Sequence, residues 1–174
     1  MNIGKFNRAA SKWLIALATV AGLAALAGCE SRTVDQDNLP DFSKQYAPEH
    51  DPEANLEFAI GDAEESGRRI LLFVGGDWCP WCRALDTFMN EDHPEIGAYL
   101  HEHFVLMKVY YGKENYNRTF LAGFPKLVAT PHFFVLDSDG SLLHSQQTEA
   151  LEKGRSYDKL KLMVFLKKWA PEKP

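Results

Sequence analysis

Cysteine is scarce in this chain, which has three cysteines among 174 residues. Cys29 lies near the N-terminus, after a long apolar stretch, and the other two cysteines form the closely spaced pair Cys79 and Cys82. A structural zinc site usually requires four ligands, often as two cysteine pairs, and a second pair is missing. A framework of structural disulfides requires cysteines that are distant in sequence. Both a zinc-stabilised domain and a disulfide-rich scaffold are therefore disfavoured.

An excess of positive charge is also missing, because 19 Lys and Arg stand against 24 Asp and Glu. Proteins that bind nucleic acid carry basic patches, so the net charge of −5 gives no indication of a nucleic-acid partner. With 45% hydrophobic residues, the chain is long enough for one globular core and short for two. We therefore expect one domain whose partners are proteins or polar molecules.

The N-terminus has the pattern of a targeting segment. Lys5, Arg8 and Lys12 form a basic start, and residues 13–27 are then almost entirely apolar. A basic start, a short apolar stretch and small residues before a cleavage site are typical of a secretory signal peptide. The apolar stretch is too short to cross a bilayer comfortably. We therefore predict a signal peptide at residues 1–28, whose removal leaves a net charge of −8.

The end of that segment reads Leu26-Ala27-Gly28-Cys29 and resembles the bacterial lipobox. The resemblance implies that Cys29 is lipidated and becomes the first residue of a lipoprotein, anchored in the cell envelope and facing the periplasm. Attachment by more than one acyl chain is stable. Glu30 stands where an aspartate is the usual inner-membrane retention signal, which favours the outer membrane. The alternative is an ordinary signal peptide with a cysteine there by chance.

A polar stretch separates the targeting segment from the first predicted helix. We predict that residues 29–50 form a flexible tether and that residues 51–174 form the folded domain. Asp51-Pro52-Glu53 combines a capping aspartate with a proline at the first helical position, which predicts a helix that begins there. Gly67 is expected to end this helix.

The rest of the chain alternates between predicted strands and helices. Apolar runs at residues 69–74 and 104–110 predict buried strands, and residues 127–145 predict a hairpin with its turn at 137–140. Helices are predicted at residues 83–89, from residue 93, at 114–122 and at 157–169. We expect Ser156 to cap the last helix, and Leu160, Val164 and the apolar residues 163–166 to face inward. This order predicts an α/β domain with a mixed central sheet covered by helices.

The two cysteines lie in the sequence Gly76-Asp77-Trp78-Cys79-Pro80-Trp81-Cys82-Arg83, where a buried strand is followed by a helix. A helix N-terminus stabilises a thiolate, which is the reactive form of cysteine, and Cys79 is predicted to lie there. Pro80 suits the first helical turn because it has no N–H group. Cys82 is one turn further along the same face, within reach of Cys79. We therefore expect Cys79 to attack and Cys82 to resolve.

The segment from Trp78 to Cys82, following an apolar strand, resembles the W-C-x-x-C signature of the thioredoxin-like superfamily. Thr130-Pro131, before the apolar residues 133–136, resembles the position where that superfamily has a cis-proline opposite the cysteines. The resemblance covers about residues 51–170 and implies a thioredoxin-like fold, with helices on both faces of a mixed sheet. It also implies that a peptide substrate contacts Trp78, Pro80, Trp81, Thr130 and Pro131. Of the two tryptophans, we expect Trp81 to be the more exposed.

Two departures from the superfamily pattern concern the chemistry. Phe73 stands where classical members have a buried aspartate that assists deprotonation of the second cysteine. Asp77 and Asp86 are the nearest carboxylates in sequence, but each is more simply explained as a solvated surface acid, so the proton acceptor for Cys82 stays open. Pro80-Trp81 replaces the Gly-Pro dipeptide, and this dipeptide tunes the redox potential.

These observations predict an extracytoplasmic thiol–disulfide oxidoreductase that exchanges disulfides with envelope proteins, with reduction or isomerisation favoured. No metal and no cofactor beyond the Cys79–Cys82 disulfide is expected, and His132, beside Pro131, is expected to be a packing or surface residue rather than part of the site. Three alternatives stay open: a thioredoxin-like binding module, a lipoprotein that delivers Cu(I) through its two thiols, and a domain with a permanent disulfide. The sequence does not indicate the electron donor, the physiological substrate or the oligomeric state.

Overall fold

The computed structural model describes residues 38–172 of the chain. The predicted signal peptide at residues 1–28 and the predicted lipidation site Cys29 lie outside the described residues. Within residues 38–172, no helix is long and apolar enough to cross a membrane.

Six α-helices and six strands make up the described part. The helices are α1 (Asp41–Lys44), α2 (Pro52–Ser66), α3 (Pro80–Thr87), α4 (Pro94–His103), α5 (Arg118–Leu121) and α6 (Lys159–Trp169). The strands are β1 (Arg69–Gly75), β2 (Phe104–Tyr110), β3 (His132–Leu136), β4 (Leu142–Gln147), β5 (Glu152–Lys153) and β6 (Ser156–Tyr157). A π-helical turn, Phe88–Asp92, extends α3, and a 3₁₀ turn, Thr148–Leu151, follows β4.

The central sheet has four strands in the order β2-β1-β3-β4. Strand β1 pairs in parallel with β2 through the crossover of α3 and α4, and antiparallel with β3. The hairpin of β3 and β4 completes the sheet, and β5 and β6 form a separate two-stranded pair. The predicted mixed sheet is therefore confirmed, and its middle strands β1 and β3 are fully or almost fully buried.

The sheet has a hydrophobic core on each face. Alternate residues of a strand point to opposite faces, so β1 sends Leu71 and Phe73 into one core, and Ile70 and Leu72 into the other. The first core is closed by α3, α4 and α6 and contains both cysteines of the motif. The second core is closed by α1, α2 and α5. The expected helices on both faces are therefore present.

The residues that precede the first long helix are folded onto the domain. Phe42 of α1 packs in one core and Tyr46 in the other, so this segment passes around the edge strand β2. The Ser43 hydroxyl donates to the Leu106 carbonyl on the outer edge of β2. The prediction of a flexible tether up to residue 50 is therefore wrong for residues 41–47, because two aromatic side chains bury apolar surface there. Residues 29–37 lie outside the described part.

The helix predicted at residues 114–122 is reduced to the single turn of α5. Asn117 has a left-handed backbone, with φ of 44°, and its side-chain amide donates to the Tyr110 carbonyl at 2.8 Å. The Asn115 side chain accepts from the Asn117 N–H and thus stabilises a turn before α5. Side-chain to backbone bonds of asparagine compete with helix formation, which explains the shorter helix.

The last helix begins later than predicted, and only part of its predicted inner face is buried. Asp158, rather than Ser156, caps α6 by accepting from the N–H groups of residues 160 and 161. Ser156 belongs to strand β6 instead. Leu160 and Val164, which were expected to face inward, are 72% and 57% exposed. The buried face consists of Leu162, Phe165 and Leu166, at the spacing of a helical stripe.

Candidate active site

Cys79 occupies the N-cap position of α3, as the sequence predicts. Its Sγ accepts a hydrogen bond from the backbone N–H of Cys82 at 3.4 Å. Pro80 is the first residue of the helix and lacks an N–H group, so it leaves no donor unsatisfied there. A thiolate at this position would be stabilised by the helix dipole and by the Cys82 N–H group.

Cys82 lies deeper than Cys79. Its side chain is fully buried, whereas Cys79 is 4% exposed, and both cysteines are free thiols in this structure. Burial raises the pKa of the Cys82 thiol well above its ordinary value, and its hydrogen bond with Cys79 raises that pKa further. Cys82 therefore needs help from its surroundings before it can act as a thiolate.

The loop before β3 faces Cys79. The Thr130–Pro131 peptide bond is cis, as the superfamily resemblance implies. The Cys79 Sγ lies 3.7 Å from the Thr130 carbonyl oxygen and 3.8 Å from its hydroxyl, which donates toward the sulfur. The Pro131 carbonyl accepts from the Thr148 hydroxyl at 2.6 Å, so this loop is held against the 3₁₀ turn after β4.

The two tryptophans have exposures opposite to those expected. Trp78 is 53% exposed, and its indole N–H donates to the Tyr111 carbonyl at 3.0 Å. Trp81 is half-buried and packs edge-on against Tyr157, with ring centroids 5.7 Å apart. The prediction that Trp81 is the more exposed is wrong because the start of α3 turns its ring toward the core. We call Trp78, which precedes Cys79 in the chain, together with Thr130 and Pro131 of the loop that faces Cys79, the rim.

Trp78 also forms one wall of an aromatic cleft of about 340 Å³ beside the motif. Tyr111 and Tyr116 line the cleft with it, and their rings meet edge-on at 5.1 Å. Gly76 and Gly112 lie directly against the Trp78 ring, since a Cβ on either would stand 2.6–2.7 Å from it. The sequence motif does not indicate this cleft, because Tyr111 and Tyr116 lie 33 and 38 residues after Trp78.

The position of the missing aspartate is filled by aromatic packing. Phe73 is fully buried and packs edge-on against the rings of Tyr46 and Phe133. Its cross-strand partner on β2 is Lys108, whose ammonium group donates to the Asp86 carboxylate at 2.9 Å. Asp86 is therefore one partner of a largely buried ion pair, and the expectation of a purely solvated surface acid is wrong for it.

A polar group that the sequence did not indicate lies next to Cys82. A Cβ on Gly75 would stand 2.5 Å from the Cys82 Sγ and 3.3 Å from the Tyr46 hydroxyl oxygen, so these two groups share one small space. The Lys108 ammonium lies 5.5 Å from the centre of the Tyr46 ring. We call Cys82 Sγ, Gly75 and Tyr46, together with the Lys108–Asp86 pair beside the tyrosine ring, the inner pocket.

His132 does not belong to the site. It extends from the opposite face of β3, packs against Phe134 at 4.6 Å between ring centroids, and contacts the Ser145 hydroxyl at 2.9 Å. Burial lowers its pKa to about 4, which is the behaviour expected of a packing histidine. In the described part of the chain, no cluster of three or more His, Cys, Asp or Glu side chains is arranged to hold a metal ion.

Comparison with known proteins agrees with this geometry. A protein-family model described as thioredoxin-like matches residues 51–138. The chain belongs to the thioredoxin-like family. No curated protein matches the chain. The thioredoxin-like match includes the motif, the crossover to β2 and the cis-proline loop, and it ends after β3.

Solved structures show the same thioredoxin-like fold. One is the disulphide isomerase from Xylella fastidiosa Temecula1, with a TM-score of 0.60 and 24% identity over 75% of this chain and 96% of that chain. Another is the reduced C-terminal domain of DsbD from Neisseria meningitidis, with a TM-score of 0.51 and 20% identity over 71% of this chain and 98% of that one. At these identities the similarity establishes the fold.

The sequence located the two thiols and the loop opposite them, and it missed the inner pocket. One signal for the pocket was available: Lys108 is the only charged residue in the otherwise apolar strand 104–110, and such a residue usually has a buried partner. Nothing in the sequence pointed to Tyr46, because it lies in a polar stretch outside the segment that resembles the thioredoxin-like family.

Proposed function

We propose that this protein is an extracytoplasmic thiol–disulfide oxidoreductase that exchanges disulfides with envelope proteins. The observation that carries the proposal is the placement of Cys79 Sγ at the N-terminus of α3, next to the Cys82 N–H and opposite Thr130. Membership of the thioredoxin-like family supports the same reaction class.

Cys79 is the nucleophile in the proposed reaction. Its thiolate attacks one sulfur of a substrate disulfide, a mixed disulfide forms, and the other substrate sulfur leaves as a thiolate that takes up a proton. Cys82 then loses its proton and attacks Cys79 Sγ. The bond between Cys79 and the substrate breaks, and the second substrate sulfur leaves and is protonated. Two electrons pass from the cysteine pair to the substrate, and the Cys79–Cys82 disulfide remains.

The rim is the proposed contact surface for the substrate chain. Thr130 places its carbonyl group beside Cys79, and Trp78, the residue before Cys79, offers an exposed aromatic ring. Pro80 is exposed at the helix start, and Trp81 is half-buried beside it. An extended peptide that contains a disulfide would therefore meet a backbone edge and an aromatic surface.

The proposed location is the outer membrane of a bacterial envelope, with the domain facing the periplasm and anchored through lipidated Cys29. The lipobox resemblance at residues 26–29 supports the anchor. We favour reduction or isomerisation over net oxidation. The name of the Xylella relative, a disulphide isomerase, is consistent with that preference.

Disulfide reduction by three forms of the protein tests the reaction. Wild type is expected to reduce insulin disulfides in the presence of a small thiol, and Cys79→Ser to lose this activity. Cys82→Ser is expected to accumulate mixed disulfides through Cys79, because the resolving thiol is missing. Equal activity in wild type and Cys79→Ser would contradict the proposal. Stoichiometric Cu(I) uptake that needs both thiols, without insulin reduction, would favour metal delivery instead.

The anchor requires a separate measurement. Mass spectrometry of the mature protein from bacterial membranes is expected to find an N-terminal Cys29 that carries acyl chains. An unmodified mature N-terminus would contradict the anchor and would leave the proposed reaction untouched.

A further inference from the structure

The Tyr46 hydroxyl is an unpaired polar group in the core. The residue is 7% exposed, and among residues 38–172 its oxygen has no hydrogen-bond partner. Buried hydroxyl groups nearly always have a partner, and one without a partner requires an explanation. The ring itself is well held, since it packs edge-on against Phe73 at 5.5 Å and lies beneath the Lys108 ammonium.

The unpaired hydroxyl lies beside the second cysteine. Tyr46 oxygen and Cys82 Sγ flank the point where a Cβ of Gly75 would stand, at 3.3 Å and 2.5 Å respectively. Because Gly75 has no side chain, nothing from β1 occupies the space between them. The space is therefore small, enclosed and shared by one hydroxyl and one thiol.

Tyr46 stays protonated in this place. Burial raises the pKa of the Tyr46 hydroxyl well above its usual value, and the negative charges of Cys82 and Asp86 raise it further. A protonated phenol is a hydrogen-bond donor, and a neighbouring thiolate is the acceptor that would satisfy it. The other polar groups of the inner pocket are already paired, because the Lys108 ammonium donates to both Asp86 and the Lys44 carbonyl.

We propose that the Tyr46 hydroxyl donates a hydrogen bond to the Cys82 thiolate during resolution of the mixed disulfide. This rests on the proposed function, because Cys82 must lose its proton only in that step. The Lys108 ammonium lies 5.5 Å from the centre of the same ring and helps to hold the tyrosine in place. The N-terminal segment that carries Tyr46 is then a functional part of the site, and the aromatic residue at position 73 has a physical explanation: it supports the tyrosine ring.

The reaction of the reduced protein with dithionitrobenzoate, a coloured aryl disulfide, separates the two steps. The first thionitrobenzoate released reports the attack of Cys79, and the second reports the attack of Cys82 on the mixed disulfide. Tyr46→Phe removes the hydroxyl and keeps the ring, so the variant should remain folded, which thermal unfolding verifies. Tyr157→Phe is the matched control, because that hydroxyl is also buried in this core but already donates to the Trp81 carbonyl.

We expect Tyr46→Phe to slow the second release about tenfold at neutral pH, since a hydrogen bond to a charged group is worth about one unit of thiol pKa. The pH at which the second release reaches half its maximum rate should rise by about one unit, while the rate of the first release should change less than about twofold. Tyr157→Phe should leave both releases close to wild type.

Three results would overturn this inference while leaving the reaction class intact. In the first, Tyr46→Phe releases the second thionitrobenzoate at the wild-type rate. In the second, Tyr46→Phe slows both releases to the same extent. In the third, Tyr157→Phe slows the second release as much as Tyr46→Phe does. The second of these is what a merely structural role of the tyrosine would produce. A wild-type protein that shows the first release and never the second would contradict the proposed function itself, so the two failures are distinguishable.

Discussion

The rim around Cys79 and the inner pocket around Cys82 are one helical turn apart and differ in almost every physical respect. At the rim, the Cys79 sulfur lies 3.7 Å from the Thr130 carbonyl oxygen, and the neighbouring residue Trp78 is 53% exposed. In the pocket, the Cys82 sulfur is fully buried and lies beside Gly75 and the Tyr46 hydroxyl. Under the proposed function, the rim meets the substrate chain and the pocket is closed to it.

Under the proposed function, this difference gives each thiol one task. A sulfur at a helix N-terminus beside an open surface can attack a large substrate, whereas a buried sulfur can only attack its neighbour. The cost of the arrangement is that burial disfavours the thiolate of Cys82. The proposed hydrogen bond from the Tyr46 hydroxyl would offset part of that cost.

A substitution that fills the inner pocket should cause the largest loss of stability. In Gly75→Ala, the new methyl group would stand 2.5 Å from Cys82 Sγ, so the side chains or the strand must shift. We expect the free energy of unfolding to fall by about 1–3 kcal/mol, as in other overpacked cores, and resolution by Cys82 to slow. Urea denaturation of the reduced protein measures the stability change.

Gly61→Ala is the matched control for that substitution. Gly61 is exposed on α2, and a Cβ there would meet no atom within 4 Å. Alanine should therefore raise stability by about 0.5–1 kcal/mol through helix propensity. If the two alanine variants had the same stability, the pocket would not be as tightly packed as described.

Removing the carboxylate of the Asp86–Lys108 pair should cause the next largest loss of stability. In Asp86→Asn, Lys108 keeps its charge at 6% exposure and loses its ionic partner. We expect a loss of about 1–2 kcal/mol, less than for a fully buried pair, because the Asp86 side chain is 35% exposed. The matched variant Glu95→Gln breaks an exposed pair with Lys159 and should cause no measurable change. Equal effects of the two variants would show that the Lys108 pair is effectively solvated.

Lowering the pH should reduce the free energy of unfolding through a buried histidine near the inner pocket, without changing the rim. Burial, together with the positive charges of Arg68 and Lys108, lowers the pKa of His101 to about 4. The unfolded chain takes up this proton near the ordinary pKa of about 6.5, and the folded chain does so only near 4, so stability should fall as the pH drops between these values. Denaturation series at several pH values should show a shallower fall in His101→Gln than in wild type. If the free energy of unfolding fell equally with pH in both proteins, His101 would not be the cause of the acid sensitivity.

A change at the rim should have the smallest effect on stability. Trp78 is 53% exposed, so Trp78→Ala should lower the free energy of unfolding by about 1 kcal/mol or less. Insulin reduction should nevertheless slow several-fold, because the aromatic surface beside Cys79 is lost. A large loss of stability with unchanged insulin reduction would reverse the roles of rim and pocket.

The two regions also differ in how well the sequence predicts them. The rim follows from local signals, since Trp78 to Cys82 and Thr130-Pro131 are contiguous motifs flanked by apolar strands. The strand at residues 104–110 and the helix that begins after Asp51 are likewise confirmed at their predicted positions. In each case the deciding interactions lie within a few residues along the chain.

The inner pocket depends on contacts between distant segments, which no local pattern records. Tyr46 reaches Cys82 by passing around the edge strand, and Lys108 meets Asp86 across 22 positions. The exposed face of α6 was misplaced for a related reason. Capping by Asp158 instead of Ser156 starts the helix two residues later, and packing of Leu162, Phe165 and Leu166 against the first core decides which face is buried.

The contrast between rim and pocket is tested most directly by brief labelling of the reduced wild-type protein with a limiting amount of iodoacetamide near neutral pH. Peptide mapping by mass spectrometry then gives the fraction of label on each cysteine. The account predicts that Cys79 carries nearly all of the label, and that label reaches Cys82 only after unfolding in urea. Equal labelling of the two cysteines in the folded protein, or a preference for Cys82, would contradict it.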